Sequence, residues 1–463
     1  MASLAGMLQA RGHRITGSDA AAYPPMSDVL EGLGIPLLQP YAETNLTPRP
    51  ELVIVGNAIS RGNVELEYVL DTRIPFTSMA AVLHDEFLPG RESQVVAGTH
   101  GKTTTTSMLA WIYEVASRTQ PELAPSFLIG GVAENFGTSF MVRAGIEGVK
   151  QPFILEGDEY DTAFFDKGPK FLHYFPDAAI LTHVEFDHAD IYPDLAAVKT
   201  AFKRLVNLIP RRGRVVAFDG SENVSECVSR AFCAVERYGF GLESHWRATT
   251  MRHEGGVTYW TLLRGGEVFA ELRLPMAGEH NALNATAAAA LAAGQGVPVA
   301  AIVEALATFR SVKRRLEVRA EVNGITIIDD FAHHPTAIRE TLRALRTAYA
   351  GRRLWAVLEP RSNTLRRNVF EDALVESLAL ADRSVLAAVF KSEAIPVAER
   401  LHPENVATAL RARGFESAVY ADADAIVAAI APELRGGDVV AIMSNGGFGG
   451  IYEKLPKAIS AAG

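Results

Sequence analysis

The residues best suited to chemistry begin with a segment rich in glycine and threonine, Gly98-Thr-His-Gly-Lys-Thr-Thr104. It lies between an apolar strand pattern and a helical pattern. A strand, a glycine-bearing turn and a helix start place backbone N–H groups around a polyphosphate, with Lys102 neutralising charge and Thr103 offering a hydroxyl to Mg²⁺. The general phosphate-loop pattern has a glycine where this chain has Val96. A threonine-rich helix cap after a buried strand is the alternative interpretation.

Two acidic segments follow apolar strand patterns downstream. The first, Ile154-Leu-Glu-Gly-Asp-Glu-Tyr-Asp161, carries four carboxylates in six residues. Hard oxygen ligands at a strand end suit Mg²⁺, and Glu156 is the favoured ligand because it comes first off the strand. In the second segment, Asp187-His-Ala-Asp190 offers the imidazole of His188 beside carboxylates that could orient it for metal ligation. A solvated acidic loop is the alternative for an isolated cluster of this kind.

Polar residues that could contact a nucleotide follow in the second half of the chain. At the start of an alanine-rich helical pattern, i,i+3 and i,i+4 spacings put His280, Asn281 and Asn284 on one face, where they could read an adenine edge. An ordinary capping role fits the same spacing. The basic run Lys313-Arg-Arg315 lies where a hinge arginine could reach phosphates, with a solvated charge run as the alternative.

Three polar loops each follow a predicted strand in the last third of the chain. They are Asp329-Asp-Phe-Ala-His-His-Pro335, Glu359-Pro-Arg-Ser-Asn-Thr364 and Ser444-Asn-Gly-Gly-Phe-Gly-Gly450. Open parallel sheets bind ligands beyond the carboxyl ends of their strands, so these loops predict a ligand-binding edge.

Parallel sheets are needed to position these residues, and alternating strand and helix patterns predict three α/β domains at residues 1–90, 91–313 and 314–463. A polar, Pro/Gly-marked segment at 88–93 sets the first boundary. Helices are predicted at 3–11, 105–116 and 281–293, and a turn-rich β-like stretch at 215–274. Strands are predicted at 14–19, 35–38, 52–56, 74–77, 94–97, 178–181, 326–328, 355–358, 385–389 and 439–443.

Composition excludes several classes of protein. The chain has 463 residues, is 48% hydrophobic and carries a net charge of -9, which disfavours nucleic-acid or anionic-membrane binding as a main role. Its two cysteines, Cys227 and Cys233, have no partnering Cys or His spacing, so the sequence predicts neither a disulfide framework nor a zinc site. The N-terminus lacks the pattern of a secretion signal and no stretch of 18 apolar residues occurs, so we expect a cytoplasmic protein.

In the order in which these motifs occur, the chain closely resembles the Mur ligases of peptidoglycan synthesis over its full length. The resemblance implies an N-terminal Rossmann-like domain that binds the uridine diphosphate, a central P-loop ATPase-like domain and a C-terminal Rossmann-like domain. It also implies that ATP phosphorylates the lactyl carboxylate of UDP-N-acetylmuramate and that an amine then displaces the phosphate.

The resemblance assigns roles to the motif residues. The ATP loop is Gly98, Thr99, His100, Gly101, Lys102, Thr103 and Thr104. Thr103 and Glu156 would hold one Mg²⁺, His188 would bind the metal nearer the acyl phosphate, and Lys102 would bridge the phosphates. The nucleotide would also contact His280, Asn281 and Asn284, with Arg315 on its phosphates and Asp330 at the ribose.

Within the family, several segments resemble the branch that joins UDP-N-acetylmuramate to the tripeptide L-alanyl-γ-D-glutamyl-meso-diaminopimelate in peptidoglycan recycling. The segments are 23–26, 57–62, 185–190, 358–364 and 443–451. This implies tripeptide contacts from Arg361, Ser362, Asn363, Ser444 and Asn445, and nucleotide-sugar contacts from Ser18, Asp19, Asn57 and Ser60. No obligate protein partner is implied.

Other activities remain open from the sequence. L-alanine or folylpolyglutamate ligation would use the same scaffold, and a phosphate-loop switch or transport ATPase would belong to a different class. Such a switch needs no third α/β domain bearing Arg361 and the loop at Ser444.

Family members begin with a strand and a glycine-rich turn, whereas this sequence starts with Met1-Ala-Ser-Leu-Ala5, which resembles the end of that turn. We therefore expect an unfilled position in the first sheet and weakened binding of the nucleotide sugar. A start codon assigned too late, or an internal methionine used as the start, is the expected reason.

Overall fold

The computed structural model describes residues 1–22 and 26–462 and contains three α/β units in chain order. The three units confirm the predicted fold class, whereas the exact domain boundaries stay predictions. Of the segment at 23–26, Tyr23, Pro24 and Pro25 lie outside the described residues. No helix in the described ranges is both long and apolar enough to cross a membrane.

The first unit holds four short strands in two separate parallel pairs. β1 (Gly17–Ser18) pairs with β2 (Leu37–Leu38), and β3 (Val53–Val55) pairs with β4 (Phe76–Ser78). Its helices are α1 (Ala2–Ala10), α2 (Met26–Gly32), α3 (Val64–Asp71) and α4 (Met79–Val82). Within residues 1–22 and 26–87 no ladder joins the pairs, and a cavity of about 620 Å³ has lining residues from both. The described strands of the first unit therefore form two separate pairs and not one continuous sheet.

The central unit is built on a ten-stranded sheet in the order β16-β15-β14-β13-β12-β11-β5-β8-β6-β7. Its strands are β5 (Glu92–Ala97), β6 (Ser126–Ala133), β7 (Thr138–Met141), β8 (Pro152–Gly157), β11 (Ala178–Leu181), β12 (Arg214–Phe218), β13 (Ala234–Gly239), β14 (Trp246–Glu254), β15 (Val257–Arg264) and β16 (Glu267–Leu274). A separate hairpin consists of β9 (Asp161–Ala163) and β10 (Asp166–Pro169). The helices are α5 (Lys102–Ser117), α6 (Leu195–Leu208), α7 (Glu222–Val228), α8 (Glu279–Gly294) and α9 (Val299–Ala307).

β5 lies between β8 and β11, parallel to both, so the three strands end at one edge. Both faces of β5 are covered: Val96 belongs to one apolar core, and Val95 and Ala97 belong to another. The alanines of α8 other than Ala293 are buried, and their small side chains allow α5 to pack close beside it. This packing fixes the start of both helices beside the end of β5.

The third unit carries a six-stranded sheet in the order β17-β18-β22-β19-β20-β21, parallel except for β17. Its strands are β17 (Glu317–Val322), β18 (Ile325–Asp330), β19 (Leu354–Leu358), β20 (Arg383–Ala387), β21 (Glu416–Tyr420) and β22 (Val439–Met443). The helices are α10 (Pro335–Ala348), α11 (Glu371–Leu378), α12 (Pro403–Ala412), α13 (Ala423–Ile430) and α14 (Ile451–Ala462). The three polar loops predicted from the sequence follow β18, β19 and β22, which are neighbours in this sheet.

Candidate active site

The phosphate loop connects β5 to α5 and turns on two glycines with positive φ, Gly98 (139°) and Gly101 (79°). A Cβ at Gly98 would lie 2.1 Å from the Thr182 hydroxyl oxygen, and one at Gly101 would lie 2.6 Å from Asn284 Oδ1. Both positions therefore require glycine for backbone conformation and for space. The loop leaves the N-terminus of α5 open beside Lys102.

Lys102 is held by a buried carboxylate that the sequence did not single out, Glu159. The Lys102 ammonium lies 2.8 and 3.0 Å from the two oxygens of Glu159 and 2.7 Å from the Gly98 carbonyl oxygen. The same carboxylate contacts His188 Nε2 at 2.9 Å. Burial opposes the charged form of Lys102, but the contacts with Glu159 leave its pKa raised. Burial likewise opposes protonation of His188, and Glu159 again raises the pKa above its ordinary value.

Glu156 is the penultimate residue of β8 and presents its oxygens to two donors. Thr103 Oγ1 donates to Oε1 at 2.8 Å, and the Gly130 backbone N–H donates to Oε2 at 2.6 Å. Burial raises the pKa of Glu156 above its ordinary value. A buried carboxylate beside a hydroxyl oxygen and an open phosphate loop is the donor set that Mg²⁺ takes together with phosphates and water, so these residues fit that ion.

A cavity of about 950 Å³ opens above the loop and is lined by residues of all three units. The predicted residues that line it are the six from Thr99 to Thr104, Glu156, His188, His280, Asn281, Asn284, Arg315, Asp330 and Asn57. The structure thus brings together the side chains predicted to contact nucleotide and metal. Gly98 does not line the cavity, but its carbonyl oxygen accepts a hydrogen bond from Lys102, which does.

The nucleotide candidates differ in how free their polar groups are. Asn281 donates to the Ala277 carbonyl oxygen at 2.8 Å, but it does not cap α8, whose N-cap residue is Gly278. Within the part of the chain that the structure describes, the buried His280 Nδ1 has no hydrogen-bond partner. Asp330 already accepts bonds from the backbone N–H groups of Leu316 and Ala332, so it also shapes its own loop.

The two hinge arginines have different environments. Arg315 lines the cavity and lies over the Phe331 ring. Arg314 faces away: it pairs with Asp329 at 3.1 Å and donates to the carbonyl oxygens of Ser444 and Gly446. Arg314 therefore anchors the loop after β22, and Arg315 remains the candidate for phosphate contact.

The five residues predicted to bind peptide follow β19 and β22 and do not line the 950 Å³ cavity. The Arg361 guanidinium lies 3.8 Å from the centre of the Phe390 ring and 3.5 Å from a Glu359 oxygen. Ser444 donates to Glu359, Ser362 donates to the His333 carbonyl oxygen, and Asn363 donates to Asp190 across the unit boundary. Asn445 Oδ1 is buried without a hydrogen-bond partner among the described residues.

The first unit places its candidates in the smaller cavity or on the surface. Ser18 and Asp19 line the cavity between the strand pairs, and Asn57 lines both cavities. Ser18 donates to Glu65, whereas Ser60 is exposed.

Two further groups near the loop were not assigned from the sequence. Lys170 follows the β9–β10 hairpin, lines the 950 Å³ cavity and pairs with Asp158 at 2.6 Å. Glu185 meets His100 and the start of α10, where Thr336 Oγ1 donates to it at 2.7 Å. Burial opposes the charge of Glu185, yet these contacts lower its pKa to about 2. Glu185 is 85 residues from His100 and 151 residues from Thr336, so spacing alone gave no signal for its contacts.

Models of three protein families match the chain. They are the Mur ligase family catalytic domain at residues 1–87, the Mur ligase middle domain at 96–292 and the Mur ligase glutamate ligase domain at 314–446. Together they cover most of the sequence.

Individual relatives match nearly end to end. The UDP-N-acetylmuramate--L-alanyl-γ-D-glutamyl-meso-2,6-diaminoheptandioate ligase of Escherichia coli K12 is 42% identical over 98% of this chain and 95% of its own. A UDP-N-acetylmuramate--L-alanine ligase from Polaromonas is 33% identical over 98% of this chain and 95% of its own. Among solved structures, a murein peptide ligase from Psychrobacter arcticus is 36% identical, covers 99% of this chain and 96% of its own, and superposes with a TM-score of 0.73.

Proposed function

The chain belongs to the Mur ligase family, and from that premise we propose that it joins UDP-N-acetylmuramate to L-alanyl-γ-D-glutamyl-meso-diaminopimelate. The reaction is an ATP-dependent amide ligation that yields ADP and phosphate. The higher identity to the tripeptide ligase than to the L-alanine ligase favours the tripeptide as the second substrate.

One observation carries the proposal: Lys102, Glu156 and His188 converge at the phosphate loop inside a cavity that all three units line. A carboxylate is a poor acyl donor until it is phosphorylated, so such an enzyme must chiefly neutralise charge and hold reactants in line. The ammonium ion of Lys102 at the start of a helix can neutralise charge. The surrounding cavity can hold the reactants in line.

In the mechanism we propose, Lys102 exchanges its contact with Glu159 for the phosphates of ATP. A lactyl carboxylate oxygen attacks the γ-phosphorus, the bond to ADP breaks, and an acyl phosphate forms. Thr103 and Glu156 would hold a Mg²⁺ ion that neutralises phosphate charge, and His188 would lie on the side of the acyl phosphate. His280, Asn281 and Asn284 would orient the nucleotide.

The peptide amine then attacks the acyl carbon, and the tetrahedral intermediate loses phosphate and a proton to leave the amide. Arg315 would face the phosphates, and Asp330 the ribose. In the first unit, Ser18, Asp19, Asn57 and Ser60 would contact the nucleotide sugar.

Selection of the peptide would occur at the loops after β19 and β22. Arg361 lies so close to the second loop that a Cβ at Gly446 would fall 2.2 Å from its Nε. Its guanidinium can form a bidentate pair with a peptide carboxylate. The buried oxygen of Asn445 offers an acceptor for the ammonium group of diaminopimelate, and Ser362, Asn363 and Ser444 would complete the contacts.

Phosphate release with ATP and UDP-N-acetylmuramate tests the proposal, with tripeptide compared against L-alanine. We expect turnover with tripeptide and none after Lys102→Ala. Turnover with L-alanine alone would indicate the sister activity, and ATP hydrolysis that ignores the nucleotide sugar would indicate a switch or transport ATPase.

Arg361→Ala tests the peptide loop separately. We expect a raised KM for tripeptide with the KM for ATP unchanged. Arg413→Ala should change neither, because Arg413 lies just past the end of α12 and pairs with the exposed Glu376. Unaltered peptide kinetics in Arg361→Ala would contradict the assignment.

A further inference from the structure

Going beyond the ligase reaction, we propose that His100, Glu185 and His334 form a binding site for a divalent transition metal such as Zn²⁺. The three residues come from the phosphate loop, the segment after β11 and the start of α10. One ligand atom from each lies within 4.8 Å of the others. A metal bound there would tie the central unit to the third unit.

The spacing of the ligand atoms fits a tetrahedral ion. Zinc bonds of about 2.0–2.1 Å place tetrahedral ligand atoms roughly 3.3 Å apart. Glu185 Oε2 lies 3.0 Å from His100 Nε2 and 3.5 Å from His334 Nδ1. The side chains therefore need only small shifts to surround one ion, with water as the fourth ligand.

The second nitrogen of His334 supplies independent support. His334 Nε2 lies 3.2 Å from the Phe186 carbonyl oxygen, a contact that favours the tautomer with its proton on Nε2 and with Nδ1, 3.5 Å from Glu185 Oε2, as the acceptor. Metal-binding histidines characteristically donate their other N–H to a carbonyl or carboxylate in this way. Nδ1 also caps α10 by accepting a hydrogen bond from the Thr336 backbone N–H at 3.3 Å, and a bound metal would replace that contact.

Two imidazoles and one carboxylate favour zinc, nickel or copper over Mg²⁺, which prefers oxygen ligands. This donor set differs from the oxygen-rich pair Thr103 and Glu156 described above. Excess Mg²⁺ should therefore occupy the latter and leave the histidine site free. The two kinds of ion can be separated in one experiment.

The test is a Zn²⁺ titration of the full chain by calorimetry in excess Mg²⁺, repeated as a thermal-unfolding series. We expect the chain to bind one Zn²⁺ ion tightly and to unfold at a higher Tm when Zn²⁺ is present. Glu185→Gln and His334→Gln should each lower the Zn²⁺ affinity at least about tenfold and reduce this increase in Tm. Thr336→Val removes the hydrogen bond to Glu185 without removing a ligand and should retain the ion. His402→Asn, which alters an exposed histidine paired with Glu371, should also retain it.

Co²⁺ bound to the unmodified chain gives a second readout that needs no variant to fold. We expect visible absorption bands typical of a four-coordinate nitrogen and oxygen site, displaced stoichiometrically by Zn²⁺. The proposal is overturned if the unmodified chain binds no Zn²⁺ in excess Mg²⁺, if Co²⁺ gives only the six-coordinate aqueous spectrum, or if both ligand variants bind as tightly as the unmodified chain. None of these readouts depends on ligase activity, so they fail independently of the proposed function.

Discussion

Replacing Glu159 by glutamine should destabilise the nucleotide-free protein more than any exposed carboxylate replacement. The Glu159 side chain is 2% exposed and that of Lys102 is 15% exposed, so the variant leaves a buried ammonium ion without its partner. Breaking a buried pair in this way costs about 3–5 kcal/mol. Because Lys102 retains some exposure, we take the lower end, about 3 kcal/mol. For a unit of roughly 200 residues that corresponds to a Tm lowered by about 6–12 °C.

The assay is thermal unfolding of the unmodified and variant chains, with and without ATP and Mg²⁺. Phosphates supply the negative charge that the variant lacks, so nucleotide should raise the Tm of Glu159→Gln by more than it raises that of the unmodified chain. The matched control is Glu114→Gln. It breaks a partly exposed pair with Arg143 and should cost at most about 1 kcal/mol.

A double variant separates loss of charge pairing from loss of packing. In Lys102→Met with Glu159→Gln neither charge remains, and replacing both partners of a buried pair is often nearly neutral. We expect the double variant to be more stable than Glu159→Gln alone. If Glu159→Gln has the same Tm as the unmodified chain, or if the double variant is the least stable of the three, the buried pair of Lys102 and Glu159 does not stabilise the protein in this way.

Further expectations concern the loop, the metal ligand and pH. Gly101→Ala should abolish ATP binding measured by calorimetry, because the residue has positive φ and its Cβ would meet Asn284; unchanged affinity would contradict this. Glu156→Gln should raise the Mg²⁺ concentration needed for half-maximal turnover, and an unaltered Mg²⁺ dependence would remove it from the metal site. Burial lowers the pKa of His183 to about 4 and that of His334 to about 3. The unfolded chain therefore takes up protons first below pH 6.5, and the free energy of unfolding should fall by about 2 kcal/mol per histidine between pH 6.5 and 5. Urea unfolding at both pH values measures this, and His334→Asn should show a smaller loss than the unmodified chain.

The elements that position the site were largely predictable because their sequence signals are local. The local sequence predicts the conformation of three segments: the apolar strand β5, the glycine-containing loop and the alanine-rich helix α8. The structure places β5 at Glu92–Ala97 and α8 at Glu279–Gly294, close to the predicted 94–97 and 281–293. β21, which is only partly buried, lacks such a signal and was not predicted.

Contacts between distant segments were harder to predict. Four carboxylates lay in the segment at 154–161, and the order along the strand favoured Glu156. Only the packing of the segment after β11 shows that Glu159 pairs with both Lys102 and His188. Glu185 is a similar case, because its partner Thr336 lies 151 residues away.

The position of Arg314 has a mechanical consequence. Its backbone lies at the junction of two units, while its side chain is bonded to the backbone on either side of Asn445. A rotation of the backbone at Arg314 would therefore move the loop after β22 together with the junction. Since Arg315, the next residue, lines the cavity, a displacement of Arg315 would reach the far loop through a single peptide bond.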